Sequence, residues 1–280
     1  MALINKLKAI ADAIRSKTGK TDAISLDDMA VEVAAIEASG GGTDLMLAGG
    51  LTEITNDHVT TLRDYALYMH TKDLVSVHFP NVTSIGSYSL GSCNVLTEAS
   101  MPKLLTVGSS SFNCCFALEH VDFPLLETIQ SGGFGYCKAL KSVYFPRVTT
   151  IAATAFSNCT ALTTAILPSL VDMKQQVFQK CTALKVVDMW GSPLSNSAFS
   201  GCTSLTALII RSSSAVDLKS SNVFTSTPIA SGTGYIYVPA ALVGTYKNKT
   251  YWSTYAAQFR ALESYTIDGT VTGALDESKI

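Results

Sequence analysis

The sequence predicts a solenoid of stacked short repeats that is preceded by an α-helical hairpin. Leucine, proline, phenylalanine and cysteine recur with a period of 22 residues through the middle of the chain. Helical spacing of apolar residues precedes these repeats, and a Gly-rich stretch separates the two regions. With 280 residues, of which 47% are hydrophobic and 15% charged, the chain is long enough to bury a sizeable core.

The N-terminal segment, residues 1–37, is predicted to form the helical hairpin. Apolar residues recur at helical spacing on both sides of the sequence SKTGKTDAIS, and Ser25 with Asp28 resembles a capping box. So small a hairpin holds little core alone, and its apolar stripes therefore need a partner. Attachment to another protein or homo-oligomerisation is expected through Leu3, Leu7, Ile10, Ile14, Leu26, Met29, Val33 and Ile36. Residues 38–50, which include ASGGGTD, are expected to be a flexible linker.

The repeats occupy residues 51–229. Each unit opens with alternating apolar and polar residues and stops at a proline, as in LKSVYFPRVTTIAATAFSNCTA, residues 140–161. That opening is typical of a short strand, because proline would interrupt the hydrogen-bonded ladder. One unit cannot bury its apolar residues alone, so the units must stack and share a continuous core. Residues 54–73 form a degenerate first unit with His70 at the Cys position, as a solenoid cap requires.

This repeat looks like that of the BspA-like leucine-rich repeat family. The resemblance covers residues 51–229 and implies a right-handed solenoid with a parallel sheet on its concave side and turns or short helices on its convex side. Residues 230–265 resemble the terminal unit that closes such arrays, with a strand at Tyr235–Val238 followed by a helical run; residues 266–280 form a tail. The cap is expected to bury Tyr246, Tyr251, Trp252 and Tyr255, and stacking of Trp252 on a carbohydrate is the alternative.

Six cysteines, at positions 93, 115, 137, 159, 181 and 202, share one phase of the repeat. Stacked strands would bring them near the separation that a disulfide tolerates, but equivalent Cβ atoms point the same way. A zinc site needs four converging ligands, which a linear ladder does not offer. The cysteines are therefore expected to be reduced and buried as small core residues, and only Cys114 lies off phase.

Enzyme signatures are not found in the sequence. The four histidines lack HExxH spacing, no Gly-x-Ser-x-Gly is found, and KTGKT lacks the earlier glycine that a phosphate-binding loop requires. We therefore expect no catalysis, no cofactor and no metal. A formal charge of -2 and a pI near 6.1 provide no field to attract nucleic acid or an anionic membrane. The N-terminus resembles neither a signal peptide nor a membrane span, so no membrane insertion is expected.

Function is therefore expected on the surface of the solenoid. In the L-x-x-V-x-F opening, Leu, Val and Phe point inward, so the residues beside the Val face outward, on the concave side. These outward residues vary between units while the inward ones do not, as in a recognition surface, although a merely solvated face would look similar. The predicted binding residues are His78, Glu98, His120, Asp122, Tyr144, Ile166 and Asp188. The convex loops and the aromatic cap are the alternative locations.

The segment LINKLKAIADAIRSKTGKTDAISLDDMA resembles the N-terminus of tail and baseplate-associated proteins of phages that infect Gram-positive gut bacteria. The first hypothesis is therefore a receptor-binding protein of the virion tail that recognises a host surface protein or glycan. The second is a bacterial cell-surface adhesin, and the third is a non-catalytic intracellular scaffold. The first is favoured because neither a signal peptide nor a wall anchor is recognised.

Overall fold

The computed structural model describes residues 52–69 and 73–264, together with the backbone of two short strands at 266–267 and 270–271. The predicted hairpin, the linker and His70 lie outside these residues. The strands are β1 (Glu53–Thr55), β2 (Thr61–Leu62), β3 (Ser76–His78), β4 (Ser84–Ile85), β5 (Glu98–Ser100), β6 (Thr106–Val107), β7 (His120–Asp122), β8 (Thr128–Ile129), β9 (Ser142–Tyr144), β10 (Thr150–Ile151), β11 (Thr164–Leu167), β12 (Asp172–Met173), β13 (Val186–Met189), β14 (Ala207–Ile210), β15 (Tyr235–Val238), β16 (Phe259–Ala261), β17 (Thr266–Ile267) and β18 (Thr270–Val271). The helices are α1 (Pro228–Ser231) and α2 (Val243–Asn248), with 3₁₀ turns at Ala240–Leu242, Trp252–Gln258 and Leu262–Ser264.

One strand from each unit builds a parallel ladder, which we call the long ladder. β1, β3, β5 and β7 form a four-stranded sheet, and β9, β11, β13, β14, β15 and β16 form a six-stranded sheet. Pairing advances by one repeat at a time, so that Ser76 lies opposite Glu98, and Glu98 lies opposite His120. This parallel arrangement confirms the solenoid that the 22-residue period predicts.

A second strand, present in six of the units, was not expected from the sequence pattern. β2, β4, β6, β8, β10 and β12 form a six-stranded parallel sheet, the short ladder. In β8 and β10 the first residue is partly exposed and the second, Ile129 or Ile151, is buried. A strand of two residues is too short for the alternation of apolar and polar residues to indicate it.

Turns form the side opposite the long ladder. Either turns or short helices were expected from the sequence for this convex side. Most of these turns hold two residues in the left-handed region, such as Ser110 (φ 53°) and Cys114 (φ 62°). Their N–H groups, and that of Phe112 between them, each donate to a carbonyl of the next unit at 2.8 Å. The turns are therefore bonded from unit to unit as the strands are, which offsets a strain of roughly 1 to 2 kcal/mol for each left-handed non-glycine residue.

The inward residues of all units stack into one core. The Leu, Val and Phe of the strand openings are buried, with the exception of Val121 in β7, which is partly exposed. A spine of phenylalanine rings, with successive centroids 5.2 to 5.8 Å apart and ring planes within 8°, is formed by Phe112, Phe134, Phe156, Phe178, Phe199 and Phe224. Such stacking adds roughly 0.5 to 1.5 kcal/mol per pair to the burial of each ring.

The predicted cysteine ladder is confirmed, because all six in-phase cysteines are free and buried. Each thiol also donates to a main-chain carbonyl of the preceding unit, over 2.9 to 3.2 Å. Burial raises the pKa of Cys115 and Cys137 well above the usual value, so the S–H proton stays in place to be donated. The ladder therefore fills space and also bonds successive units together, a role that the packing interpretation missed. Cys114 is half-buried.

The C-terminal unit closes the solenoid. β15 confirms the predicted strand, and β16 extends the long ladder beyond the last repeat. Tyr246, Trp252 and Tyr255 are buried as predicted, and Trp252 Nε1 donates to the carbonyl of Val216 at 2.9 Å. Stacking of Trp252 on a carbohydrate is therefore wrong. Tyr251 is 45% exposed, so its assignment to the cap core is also wrong; it occupies a left-handed turn position that directs it outward.

Local sequence explains α1, the short helix that precedes β15. The side chain of Thr227 accepts a hydrogen bond from the N–H of Ala230, and Pro228 occupies the first turn of α1. Gly232 ends the helix with φ at 89°, a conformation that glycine adopts without strain. Among the helices in the described residues, none has the length and apolar character that a membrane span requires.

Candidate functional site

The outward side of the long ladder, here called the ladder face, carries two columns of side chains. The first column comprises Glu53, Ser76, Glu98 and His120 on one sheet and Ser142, Thr164, Val186, Ala207 and Tyr235 on the other. The second comprises Thr55, His78, Ser100 and Asp122 and then Tyr144, Ile166, Asp188, Ile209, Tyr237 and Arg260. The register that the sequence predicts for these columns is confirmed, and both columns continue into the C-terminal unit.

Five of the seven predicted binding residues reach the surface of this face. Glu98, His120 and Asp122 are exposed, whereas His78 and Tyr144 are half-buried. The Ser100 hydroxyl donates to Oδ2 of Asp122 at 3.3 Å, which orients that carboxylate toward the preceding strand. A ligand would therefore meet hydrogen-bonding groups of four neighbouring units. Their role in binding stays a prediction.

Ile166 and Asp188 lie in the predicted column but are only 8% and 5% exposed, so their expected exposure is wrong. Asp188 forms a bidentate ion pair with Arg211, in which Nε and Nη2 of Arg211 each donate to one carboxylate oxygen at 2.7 Å. Desolvation raises the pKa of Asp188, and the Arg211 cation opposes that shift. A desolvated carboxylate needs its cation, so Asp188 is committed to Arg211. Because Arg211 stands at a position that is proline in five earlier units, the periodicity gave no sign of this pairing.

At its C-terminal end the ladder face is apolar, and another part of the chain covers it. Ala207 and Ile209 point outward from β14, yet they are only 6% and 1% exposed and pack with Val186, Tyr237 and Leu262. Leu262 follows β16, so the chain folds back over this part of the face. The outward residues of β1, β3, β5, β7 and β9 are all exposed or half-buried, and we call them the open face.

The open face is acidic. Its ten outward residues include the carboxylates of Glu53, Glu98 and Asp122, all of them exposed, and two histidines, but no Lys or Arg. The flanking Lys141 is bonded through Nζ to Oε2 of Glu119, and this bond lowers the pKa of the Glu119 carboxyl. The cation of Lys141, which precedes β9, is therefore already paired.

The long ladder is interrupted between the last two strands of the open face. β7 and β9 belong to consecutive units, but the two strands do not pair. The short ladder stays intact there, because β8 pairs with β10. This gap in strand pairing is a feature that the regular repeat pattern does not indicate.

An aromatic cluster on the first two turns also escaped the sequence analysis. The rings of Tyr65, Tyr68 and Tyr88 lie 5.2 to 5.9 Å apart and are 36% to 56% exposed. The first left-handed turn position, held by Tyr65 and Tyr88 here, carries Ser110 and Gly132 in the next two units. The cluster lies outside the predicted columns. No group of three or more His, Cys, Asp or Glu within the described ranges could hold a metal ion.

Comparison with known proteins identifies the repeat. A family model described as a BspA type leucine rich repeat region matches six copies, over residues 60–185 and 106–230. No curated protein is significantly similar in sequence.

Similar solved structures include three leucine-rich repeat proteins. A protein of T. pallidum is 23% identical over 49% of this chain and 72% of its own, with a TM-score of 0.46. One from Bacteroides ovatus is 22% identical over 64% and 47% of the two chains, with a TM-score of 0.39. A leucine rich cell surface protein from Faecalibacterium prausnitzii is 18% identical over 67% and 72%, with a TM-score of 0.34.

Proposed function

The chain belongs to the BspA-type leucine-rich repeat family, and on that premise we propose that it is a non-catalytic binding protein of the surface-adhesin type. Its open face contacts a partner protein or glycan. One observation carries the proposal: a constant inward frame presents outward residues that differ from unit to unit, and Glu98, His120 and Asp122 among them are exposed. Exposed polar groups on a rigid scaffold are suited to recognition.

The chemistry of the described side chains supports binding rather than catalysis. His58 and His120 each lie near the carboxylate of the preceding residue, Asp57 at 3.1 Å and Glu119 at 3.8 Å, and they belong to different units. The in-phase thiols are poor nucleophiles, because burial raises the pKa of residues such as Cys137. The outward polar groups of the short strands offer hydrogen bonds to a ligand.

A phage tail-associated receptor-binding protein is the second candidate. The resemblance of residues 1–37 to tail and baseplate-associated proteins favours it, with these residues attaching the chain to the virion or forming a homo-oligomer. Both candidates use the same open face, but they differ in location, which is the cell surface or extracellular space for an adhesin and the virion for a tail protein. Antibodies to the chain would label intact cells in the first case and purified virions in the second.

Cell binding tests the proposed function. The purified full chain, fluorescently labelled, is added to a panel of epithelial cells and of Gram-positive bacterial cells. Saturable binding to epithelial cells supports the adhesin, and saturable binding to bacterial cells alone supports the phage protein. Binding to neither class of cell contradicts both candidates.

Variants then locate the binding surface. Asp122→Ala and Tyr144→Ala are expected to weaken cell binding at least several-fold, because both residues belong to the open face. Tyr136→Ala is the matched control, since Tyr136 is 44% exposed but lies on a turn opposite the long ladder. Circular dichroism confirms that each variant is folded. If both open-face variants bind as well as the wild type, the assignment to this face is wrong.

A further inference from the structure

We propose that the turns of the first five units bind a neutral oligosaccharide at a second site, opposite the open face. The site, here called the tyrosine shelf, is an aromatic wall beside a polar floor and is formed by Tyr65, Tyr68, Tyr88, Ser110, Asn113 and Thr154. This inference goes beyond the proposed function, which concerns the open face alone.

Three tyrosine rings from the first two units form the wall. The rings of Tyr65 and Tyr88 are parallel within 5°, with centroids 5.2 Å apart, and the ring of Tyr68 stands at right angles to both. Each parallel ring covers one face of the other. The face of Tyr88 that Tyr65 does not cover is directed toward the third unit, because the two rings come from successive units.

The wall is held in place by the turns that carry it. A Cβ on Gly91 would stand 3.2 Å from two ring carbons of Tyr68, closer than ordinary van der Waals contact. Glycine at this position therefore lets the ring pack against the main chain. The N–H groups of Tyr65 and Tyr88 each donate to a carbonyl of the next unit at 2.9 Å. Rings that are fixed before binding lose little conformational freedom when a ligand arrives.

The floor begins where the aromatic column ends. The turn position of Tyr88 is held by Ser110 in the third unit and by Gly132 in the fourth, so the surface steps down beside the wall. A Cβ on Gly132 would stand 3.1 Å from Oγ of Ser110. It would also stand 3.8 Å from Nδ2 of Asn113 and 3.9 Å from Oγ1 of Thr154. Two hydroxyl groups and one amide therefore converge above this glycine.

These floor groups have hydrogen-bonding capacity to offer. Ser110, Asn113 and Thr154 are all half-buried and so reach the surface. The Asn113 Oδ1 accepts from the Cys114 thiol at 3.0 Å, which leaves Nδ2 as the outward donor. Within the described residues, neither this Nδ2 nor Oγ of Ser110 forms a hydrogen bond.

A pyranose ring matches this combination of wall and floor. Its C–H face packs on an aromatic ring, while its hydroxyl groups donate to and accept from hydroxyl and amide groups. None of the six shelf residues is charged, and the nearby carboxylate of Asp64 already accepts from the N–H of Ser87 at 2.6 Å. A neutral sugar is therefore favoured over an ionic one. Five units span about 19 Å, which gives room for an oligosaccharide.

Sugar binding tests the inference. The labelled full chain is applied to an array of neutral tetrasaccharides of glucose, galactose and mannose, with tetragalacturonate as the charged comparison. Saturable binding to at least one neutral tetrasaccharide and none to tetragalacturonate is expected. Saturation of the aromatic protons of the protein should transfer most strongly to the C–H protons of the bound sugar in an NMR experiment. Binding of no neutral sugar, or equal binding of the charged one, would overturn the inference.

Variants of the wall locate the sugar. Tyr65→Ala and Tyr88→Ala are each expected to weaken binding of the best tetrasaccharide about tenfold. Tyr88→Phe keeps the ring and should lose less than about threefold. The matched control is Tyr251→Ala, because Tyr251 is also exposed in a left-handed position (φ 62°) but lies in the C-terminal unit. Equal losses at Tyr88 and Tyr251 would contradict a site on the shelf.

A variant of the floor tests the hydrogen bonds separately. Asn113→Ala removes the outward donor and leaves the three rings in place, so binding should weaken about fivefold. Circular dichroism checks that each variant is folded. Full binding by Asn113→Ala would show that the floor does not contact the sugar, and the shelf as defined would be wrong.

Two other occupants of the wall give distinct results. If light scattering shows that Tyr88→Ala dissociates an oligomer of the wild type, the rings form an interface between copies of the chain. If trypsin releases residues 1–40 faster from Tyr88→Ala than from the wild type, the N-terminal segment covers the rings. Either result would overturn the inference.

The inference and the proposed function can fail separately. Asp122→Ala and Tyr144→Ala should leave tetrasaccharide binding unchanged, and Tyr88→Ala should leave cell binding unchanged. If the two open-face variants abolish tetrasaccharide binding, the sugar lies on the open face, so the shelf is wrong and the proposed function stands. If Tyr88→Ala alone loses the sugar while no cell in the panel binds the chain, the inference stands and the proposed function falls.

Discussion

The thiol ladder makes a prediction that separates space filling from hydrogen bonding. Cys159 is fully buried, and its Sγ donates to the carbonyl of Phe134 at 3.1 Å. The change Cys159→Ala removes both the sulfur and the donor, whereas Cys159→Ser removes the sulfur but keeps a donor. The two variants therefore test whether the bond to the preceding unit contributes to stability.

The structure sets the expected magnitudes. Loss of the sulfur and the small cavity that remains cost roughly 1 to 2 kcal/mol. Loss of the donor adds only about 0.5 kcal/mol, because the Phe134 carbonyl still accepts from the N–H of Cys137 at 3.2 Å. Cys159→Ala should therefore cost about 2 kcal/mol. Cys159→Ser should cost about 1 kcal/mol, since its hydroxyl can donate to the same carbonyl and fills part of the space.

Urea unfolding monitored by circular dichroism and by tryptophan fluorescence measures both values, and coincident transitions justify a two-state treatment. The same pair of changes at Cys114 is the control and should shift stability by less than about 0.5 kcal/mol, because that thiol is half-buried and contacts a side chain, Asn113. If Cys159→Ser is more destabilising than Cys159→Ala, the hydroxyl is buried without a partner and the bonded interpretation of the ladder is refuted.

Three further predictions concern the thiols, the buried ion pair and the N-terminus. Mild thiol reagents should modify only Cys114 in the native protein, since the other thiols are buried with raised pKa values; rapid labelling of five or six thiols would contradict this. Asp188→Ala should destabilise by roughly 3 to 5 kcal/mol, because it leaves the Arg211 charge buried, and Asp188→Leu with Arg211→Met should recover most of that loss. If urea unfolding shows that Asp188→Ala lowers the free energy of unfolding by less than about 1 kcal/mol, the ion pair is not desolvated. Deletion of residues 1–40 should leave a folded, monomeric repeat domain, and light scattering that finds an unchanged oligomer would disprove the role of these residues.

The repeat period predicts which side chains point inward, but not how each unit bonds to the next. The positions of Leu, Val and Phe in the strand openings follow from alternation, because an inward apolar residue gains burial in every unit. The short-ladder strands were missed, since two residues such as Thr150 and Ile151 carry no alternation. The thiol bonds were missed because a sequence phase shows where a sulfur stands and not which carbonyl lies beside it.

The candidate site was predictable only in part for the same physical reason. The columns follow from side-chain alternation along each strand, so their register was predicted correctly. The exposure of a column residue depends on what the rest of the chain lays over it, as Arg211 and Leu262 do near Asp188 and Ile209. The break between β7 and β9 has no counterpart in the sequence, where both units keep the same apolar pattern.

Blocking one face at a time tests most directly whether the open face is the binding surface. In a Cys114→Ser background, Ser142→Cys on the open face or Ser131→Cys on a turn opposite the long ladder introduces a single exposed thiol. Each is coupled to a bulky polyethylene glycol chain, and binding to the cells that bind the wild type is measured. The polymer at position 142 is predicted to abolish binding, and the polymer at position 131 to leave it nearly unchanged. Retained binding with position 142 blocked would contradict the assignment of recognition to the open face.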